Sequence, residues 1–315
     1  MSDSPLAESK FFDHFTLFGG SAPLLKILIL VGVHIDWSQC WLQSAPNLQT
    51  LHLSAHDVNV RPSWDAFSAI LRGAPALETF EVSYSGPRDY SGEPLLLPNL
   101  LQLVLGTSPP QEVISLLGKL GTPALKTLTL DFKEWISDYS DIVTHLVGPA
   151  AQAMLPPIEQ SRSLLRSLET LSIKNLACDQ ECAVILYREL VNLKVFKLST
   201  SHVPWTFFKL LYPLWLTPSG SLGFFGTEHT RTTFFVSLPS LKGLFLSGVS
   251  TYDLTQLVVQ RRDAGVPLRA IFMKRCPPME LSDVEWLRDN LEEFEIIGDS
   301  DDDEASEDEY GLFDW

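Results

Sequence analysis

Cys178-Asp-Gln-Glu-Cys182 comes closer than any other stretch of this chain to a metal or redox motif. Paired-cysteine sites of that kind put two residues between the sulfurs and need a second pair, or two histidines, nearby. Here three residues separate the thiols, and no such partner is near in sequence. The pair therefore reads as a small buried helix residue, Cys182, preceded by a loop residue, Cys178. His52, His56 and Asp57 form the one tight group of histidine and carboxylate. They could do general-base chemistry if they converged, but His52 stands between Leu51 and Leu53, so its side chain points away from theirs and reads as solvated. Glu134, Asp138 and Asp141 read as a solvated face rather than a glycosidase pair. Gly118-Lys119 lacks the upstream glycine and the Ser/Thr neighbour of a phosphate-binding loop. The motifs HExxH, GxSxG and GxGxxG do not occur. The expectation is a protein that is not an enzyme, with no metal and no cofactor.

The elements that carry these residues follow from a repeat. Ten times an apolar residue is followed by two others, a second apolar residue, one other, and a third. The phrase is Leu25/Leu28/Leu30, Leu48/Leu51/Leu53, Leu77/Phe80/Val82, Leu100/Leu103/Leu105 and Leu125/Leu128/Leu130. It returns as Leu168/Leu171/Ile173, Leu193/Phe196/Leu198, Leu241/Leu244/Leu246, Leu268/Ile271/Met273 and Leu291/Phe294/Ile296. The last two positions are two apart, which is strand spacing. Most intervals between phrases lie near 20–29 residues, the range of leucine-rich repeats. That leaves room for a return long enough to place the next strand parallel.

The returns carry helical patterns. Trp64, Phe67, Ile70 and Leu71 share one face behind Pro62, and Val113, Ile114, Leu116 and Leu117 do so behind Pro109-Pro110. Cys182 to Leu186 and Val284 to Leu287 repeat the pattern, and Gly73, Gly121 and Asn290 end helices. The predicted fold is α/β: a leucine-rich-repeat solenoid, or horseshoe, with a parallel concave sheet and convex helices. Two intervals are long. Between Leu130 and Leu168 the pattern predicts a helix, a break at Pro156-Pro157 and a second short helix. Between Leu198 and Leu241 the pattern around Trp205 predicts a helix, and Leu222 to Phe225 reads as a degenerate strand, giving ten to eleven repeats in all. The boundaries predicted are a capping segment at 1–20, the repeats at 21–298 and an acidic tail at 299–315.

Residues between the ladder positions point outward and are the candidates for contact. Phe245 and Phe272 fall on adjacent strands, with Lys174, Lys197 and Lys274 close by. Aromatic anchors beside basic residues suit a protein partner; the alternative is that a loop or terminal segment folds over them. With His52, Glu81 and Asp131 they make the predicted partner-binding set of the concave face.

The net charge is −16, and the nine acids of Asp299 to Trp315 account for much of it; without them the chain is at −7. Such a surface repels phosphate, which argues against nucleic acid and against an anionic membrane as partners. The tail reads as disordered. Ser300 and Ser306 are followed by acids, as acid-directed kinases prefer, and phosphorylation would add about −1.5 to −2 each. Met1 to Lys10 has no apolar core for a signal peptide, Ile27 to Val33 is too short to span a bilayer, and there is no glycosylation sequon. With only four cysteines, the chain is expected in the cytoplasm or nucleus.

Leu17-Phe-Gly-Gly-Ser-Ala-Pro-Leu-Leu, Val33-His-Ile-Asp-Trp37 and Leu97-Pro-Asn-Leu-Leu-Gln-Leu, together with the acidic tail, resemble the leucine-rich regions of F-box proteins of mushroom-forming fungi. The resemblance implies a scaffold that holds substrates for a cullin–RING ubiquitin ligase. The chain departs from that family at the F-box itself. The module would begin Leu-Pro-x-Glu ahead of the repeats, and the first phrase starts by residue 25; Leu155-Pro-Pro-Ile-Glu159 lies mid-array. The leading expectation is a non-enzymatic protein-binding scaffold, with a ligase substrate receptor as its specific form. The alternatives are a degenerate paralogue with no dedicated partner, and third an enzyme with an unrecognised site.

Overall fold

Every one of the ten phrases ends in a five-residue strand with a parallel neighbour. The computed structural model describes residues 21–37, 41–106, 108–132, 139–148, 163–176, 178–199, 205–216, 222–223, 233–247, 249–274 and 280–298. The predicted capping segment 1–20, the tail 299–315 and both candidate phosphoserines, Ser300 and Ser306, lie outside the described residues. The chain divides into two compact units, Met1–Leu125 with Ala150–Ser161, and Lys126–Pro149 with Arg162–Trp315.

The first unit runs β1 (Ile27–Val31), β2 (Thr50–Ser54), α1 (Trp64–Arg72), β3 (Thr79–Ser83), β4 (Leu95–Leu96), β5 (Gln102–Gly106), α2 (Pro110–Lys119) and β6 (Leu120–Gly121). Strands β1, β2, β3 and β5 are parallel neighbours in that order, with Leu28, Leu51, Phe80 and Leu103 in one row. Strands β4 and β6 form a separate parallel pair. Helix α1 starts where Ser63 accepts a hydrogen bond from the Ala66 N–H, and it buries Trp64, Phe67, Ile70 and Leu71. It stops at Gly73, where a Cβ would run into the Gln43 backbone. Helix α2 starts at Pro110, whose missing N–H costs nothing in a first turn.

The second unit runs β7 (Thr127–Asp131), α3 (Ser140–Val147), β8 (Thr170–Lys174), α4 (Gln180–Glu189), β9 (Val195–Ser199), α5 (Trp205–Lys209), β10 (Leu214–Leu216), β11 (Leu222–Gly223), β12 (Thr233–Phe235), β13 (Gly243–Ser247), α6 (Thr251–Asp263), β14 (Ala270–Lys274), α7 (Leu281–Asn290) and β15 (Glu293–Ile297). The parallel order is β7-β8-β9-β13-β14-β15, with Leu128, Leu171, Phe196, Leu244, Ile271 and Phe294 in one row. The degenerate eleventh strand expected at Leu222 is not a member of this array. Residues Leu222–Gly223 pair antiparallel with β10, which also pairs antiparallel with β12. In the other long interval, α3 and a 3-10 turn at Leu164–Ser167 are the described helices; Pro156 and Pro157 lie outside the described residues.

The ladder side chains are the core. In the second to ninth phrases every one of them is at most 4 % exposed. The end phrases are more open: Leu25, Leu28 and Leu30 are half-buried, and Ile296 is 38 % exposed. A repeat covers its apolar face only with its neighbours, so the first and last repeats lack cover on one side.

Backbone bonding steps one repeat at a time. The Gln49 carbonyl accepts from the N–H groups of both Glu78 and Thr79, each at 2.9 Å; Glu169 accepts from Lys194 and Val195, and Lys194 from Lys242 and Gly243. Amide side chains add a second row of cross-links. Asn47 donates to the Pro23 carbonyl, Asn99 to Pro75 at 2.9 Å and Asn192 to Arg166 at 2.7 Å. Four strands, β1, β2, β3 and β8, end in the same way: Gly32, Ala55, Tyr84 and Asn175, each the residue after its strand, all take positive φ of 51–60°.

Arg261 of α6 is fully buried, and its guanidinium donates to the carbonyls of Leu211 (2.9 Å), Ser237 (3.0 Å) and Leu238 (2.8 Å). Burial lowers its pKa to about 10, so it stays charged at neutral pH. It thereby ties both ends of the irregular β10–β12 segment to the helix that follows.

Two stability outcomes follow. Leu128→Ala, at 0 % exposure, is expected to cost about 2–5 kcal/mol in denaturant unfolding; a loss under about 0.5 kcal/mol would remove Leu128 from the core. Arg261→Leu leaves three carbonyls unpaired, at about 1–3 kcal/mol each. It is therefore expected to destabilise the second unit more than Leu128→Ala, and an equal or smaller loss would deny the tie its role.

Candidate functional site

The residues that alternate with the ladder form columns on the opposite face of the strands. In the first unit His52 and Glu81 are direct register partners, and His52 Nε2 lies 3.3 Å from Glu81 Oε1. Both are half-exposed. In the second unit Asp131 and Lys174 are register partners on β7 and β8, 3.6 Å apart. Lys197, Phe245 and Phe272 occupy one register position on β9, β13 and β14. The Lys197 ammonium sits 4.9 Å from the Phe245 ring centroid, within cation–π range. The Phe245 and Phe272 rings stack with centroids 4.4 Å apart and planes 13° from parallel. Lys274 is two residues further along β14, in register with Ser247.

The structure thus brings Lys197, Phe245 and Phe272 together, pairs Asp131 with Lys174, and pairs His52 with Glu81. One expectation needs correction. Phe272 is only 2 % exposed, so it is not the surface anchor its strand position implied; it stacks against the half-buried Phe245. Ser172 and Ser247 on the same face are buried as well, at 8 % and 5 %.

The group His52, His56 and Asp57 does not converge. Asp57 caps a 3-10 turn, accepting from the Asn59 N–H at 3.0 Å. His56 is 3 % exposed and packs edge-on to Trp37, ring centroids 5.4 Å apart. Its Nδ1 is 2.8 Å from Ser85 Oγ, the distance expected of a base and its nucleophile. But Ser85 is 1 % exposed and its hydroxyl donates to the Ser83 carbonyl at 3.0 Å. The pair instead locks the loop after β2 to the loop after β3. Next to it Arg61 donates to the His56 carbonyl at 3.3 Å and to Glu112 at 3.0 Å. Sequence reading passed over Ser85, Arg61 and Glu112, because their partners lie far away in the chain and no local motif marks them.

Cys178 and Cys182 are both half-buried and are not joined in a disulfide. The motif between them is a helix cap: Asp179 Oδ1 accepts from the Cys182 N–H at 2.6 Å. Burial pushes the Cys182 thiol up, away from thiolate chemistry. Among the described residues no group of three or more His, Cys, Asp or Glu side chains could hold a metal ion. No described helix is long and apolar enough to cross a membrane.

No family model matches this chain, and no curated protein matches it.

Two histidines give the fold a pH dependence of definite sign. Burial lowers the pKa of His56, with Arg61 and His34 adding to the effect, and burial alone lowers that of His145. A lowered folded-state pKa means the neutral ring is the stable form, so its contribution is complete above the unfolded value of about 6.5 and is lost as the pH falls below it. The thermal midpoint is expected to drop between pH 7.5 and pH 5.5. His56→Gln should flatten that drop; an unchanged slope in this variant would show that His56 is not its source.

Proposed function

We propose that this chain is a leucine-rich-repeat protein that works as a non-enzymatic scaffold, holding a protein partner on the outward side chains of its parallel strands. The observation that carries this reading is the division of labour along each strand. Ladder residues serve the core, while the alternating positions Asp131, Lys174, Lys197, Phe245 and Lys274 do not, and Asp131 with Lys174 and Lys197 with Phe245 fall side by side in register. A row of side chains that the core does not need, held at fixed spacing on a rigid sheet, is suited to recognising a surface. The Lys197–Phe245 pair combines an aromatic face with a cation, chemistry enriched at interface anchors. His52 and Glu81 provide a second outward pair in the first unit, an imidazole beside a carboxylate.

The resemblance to F-box proteins supplies the specific form of the proposal, a substrate-holding subunit of a ubiquitin ligase. A degenerate paralogue is the competing reading.

Affinity purification of the full chain with quantitative mass spectrometry tests both. The reading expects partners that are lost, about tenfold or more, with Lys197→Glu combined with Phe245→Ser, and retained with Glu181→Lys on α4. Ligase adaptor and cullin peptides among them would support the specific form. A partner set indifferent to the Lys197/Phe245 substitutions, or an empty one, would overturn the scaffold reading.

A further inference from the structure

Strand β1 is unlike the other strands of the parallel sheet in what it shows to water. Ile27, Ile29 and Val31 alternate along it at 62 %, 59 % and 56 % exposure, and Leu24 just ahead is at 89 %. Their register partners on β2 are Thr50, His52 and Ser54, so this apolar row belongs to β1 alone. The ladder side of β1 is short of cover too: Leu28 and Leu30 are half-buried, where Leu51 and Leu53 of β2 are at 0 % and 1 %. β1 is also the first strand in the order of its sheet, with a strand neighbour on one side only among the described residues. Apolar surface on a sheet edge is a feature that proteins cover or blunt.

The chain holds a segment of matching chemistry directly upstream. Phe11-Phe12-Asp-His-Phe15-Thr-Leu17-Phe18 has five apolar residues in eight, and Phe12, Phe15 and Leu17 repeat the spacing of the ladder phrases. Only Gly19 and Gly20 separate it from Ser21, the first described residue. A short glycine tether holds its two ends at an effective concentration of about millimolar. A partner in solution, or a second copy of this chain, has to compete with that. We propose that residues 11–18 dock on β1 and take its exposed row of Leu24, Ile27, Ile29 and Val31 out of water. This inference is independent of the scaffold reading, because none of the proposed contact residues lies on β1.

Amide hydrogen exchange on the full chain tests it from both sides. In the parent protein the amides of 11–18 are expected to be protected. In Ile29→Asp they should exchange about tenfold or more faster. Phe15→Asp with Leu17→Asp should in turn speed exchange across 27–31 and raise binding of a hydrophobic dye. The amides of β8 (170–174) serve as the folding control in both variants. Unprotected exchange of 11–18 in the parent chain overturns the proposal, and that result does not depend on whether any variant folds. Protection of β1 that disappears on dilution, in parent and variants alike, would assign the row to a second copy and overturn it too.

Discussion

In the parallel sheet the backbone of each repeat bonds to the repeats next to it, and the rest of the structure depends on that step. A carbonyl at the entrance to one strand receives two consecutive N–H groups from the next repeat, as Glu169 does from Lys194 and Val195. This fixes the register before any side chain is considered. Once register is fixed, ladder residues stack on ladder residues and the outward columns line up. Several ion pairs follow the same step: Arg166 with Glu189, and Lys126 with Glu169 with Lys194, join successive repeats. These pairs are partly exposed and contribute little individually. They follow the register and do not set it.

The β10–β12 segment shows what happens where the step is interrupted. Its short strands pair antiparallel among themselves, so the neighbouring repeats do not satisfy the backbone at its two ends. A buried guanidinium does that work, and Leu238 at its foot is held at φ 51°. Tyr187 adds a second tie, its hydroxyl donating to the Phe207 carbonyl at 2.8 Å. Buried charge is costly unless it is bonded; here Nη1 and Nη2 make three bonds to carbonyls, which replace the repeat-to-repeat bonding that is missing.

The phrases made the strands legible because a parallel strand with a buried face needs apolar residues at period two, and the residues supply it ten times over. Helices α1, α2, α4 and α7 were legible from one-sided apolar patterns, α1 and α2 also from prolines at their starts. Helix α6 was not read. Its core stripe of Leu254, Leu257 and Val258 continues into Arg261, and a charged residue at a core position hides the pattern. The antiparallel pairing of Leu222 was illegible because its partners are set by contacts across the insertion. For the candidate site, strand alternation gave the columns correctly, and the Lys197–Phe245–Phe272 row follows from register alone. What alternation could not give is burial: Phe272 has the same parity as Phe245, yet depth is decided by whatever lies above the sheet. The His56–Ser85–Arg61–Glu112 cluster was hidden for a similar reason, since its members are joined only by the folded chain.

Gly243 faces Val195 across neighbouring strands, although the two phrases behind them begin 48 residues apart, and Thr127 faces Thr170 in the same manner across an interval of 43. The sheet takes no notice of how much chain lies between one strand and the next. The instructions for assembly are therefore concentrated in brief words, and the text between those words is under little constraint from the sheet. Inheritance can lengthen, shorten or rewrite that text repeatedly while the spine is copied unchanged, and the looped-out segments become the natural place for descendants of such a chain to diverge.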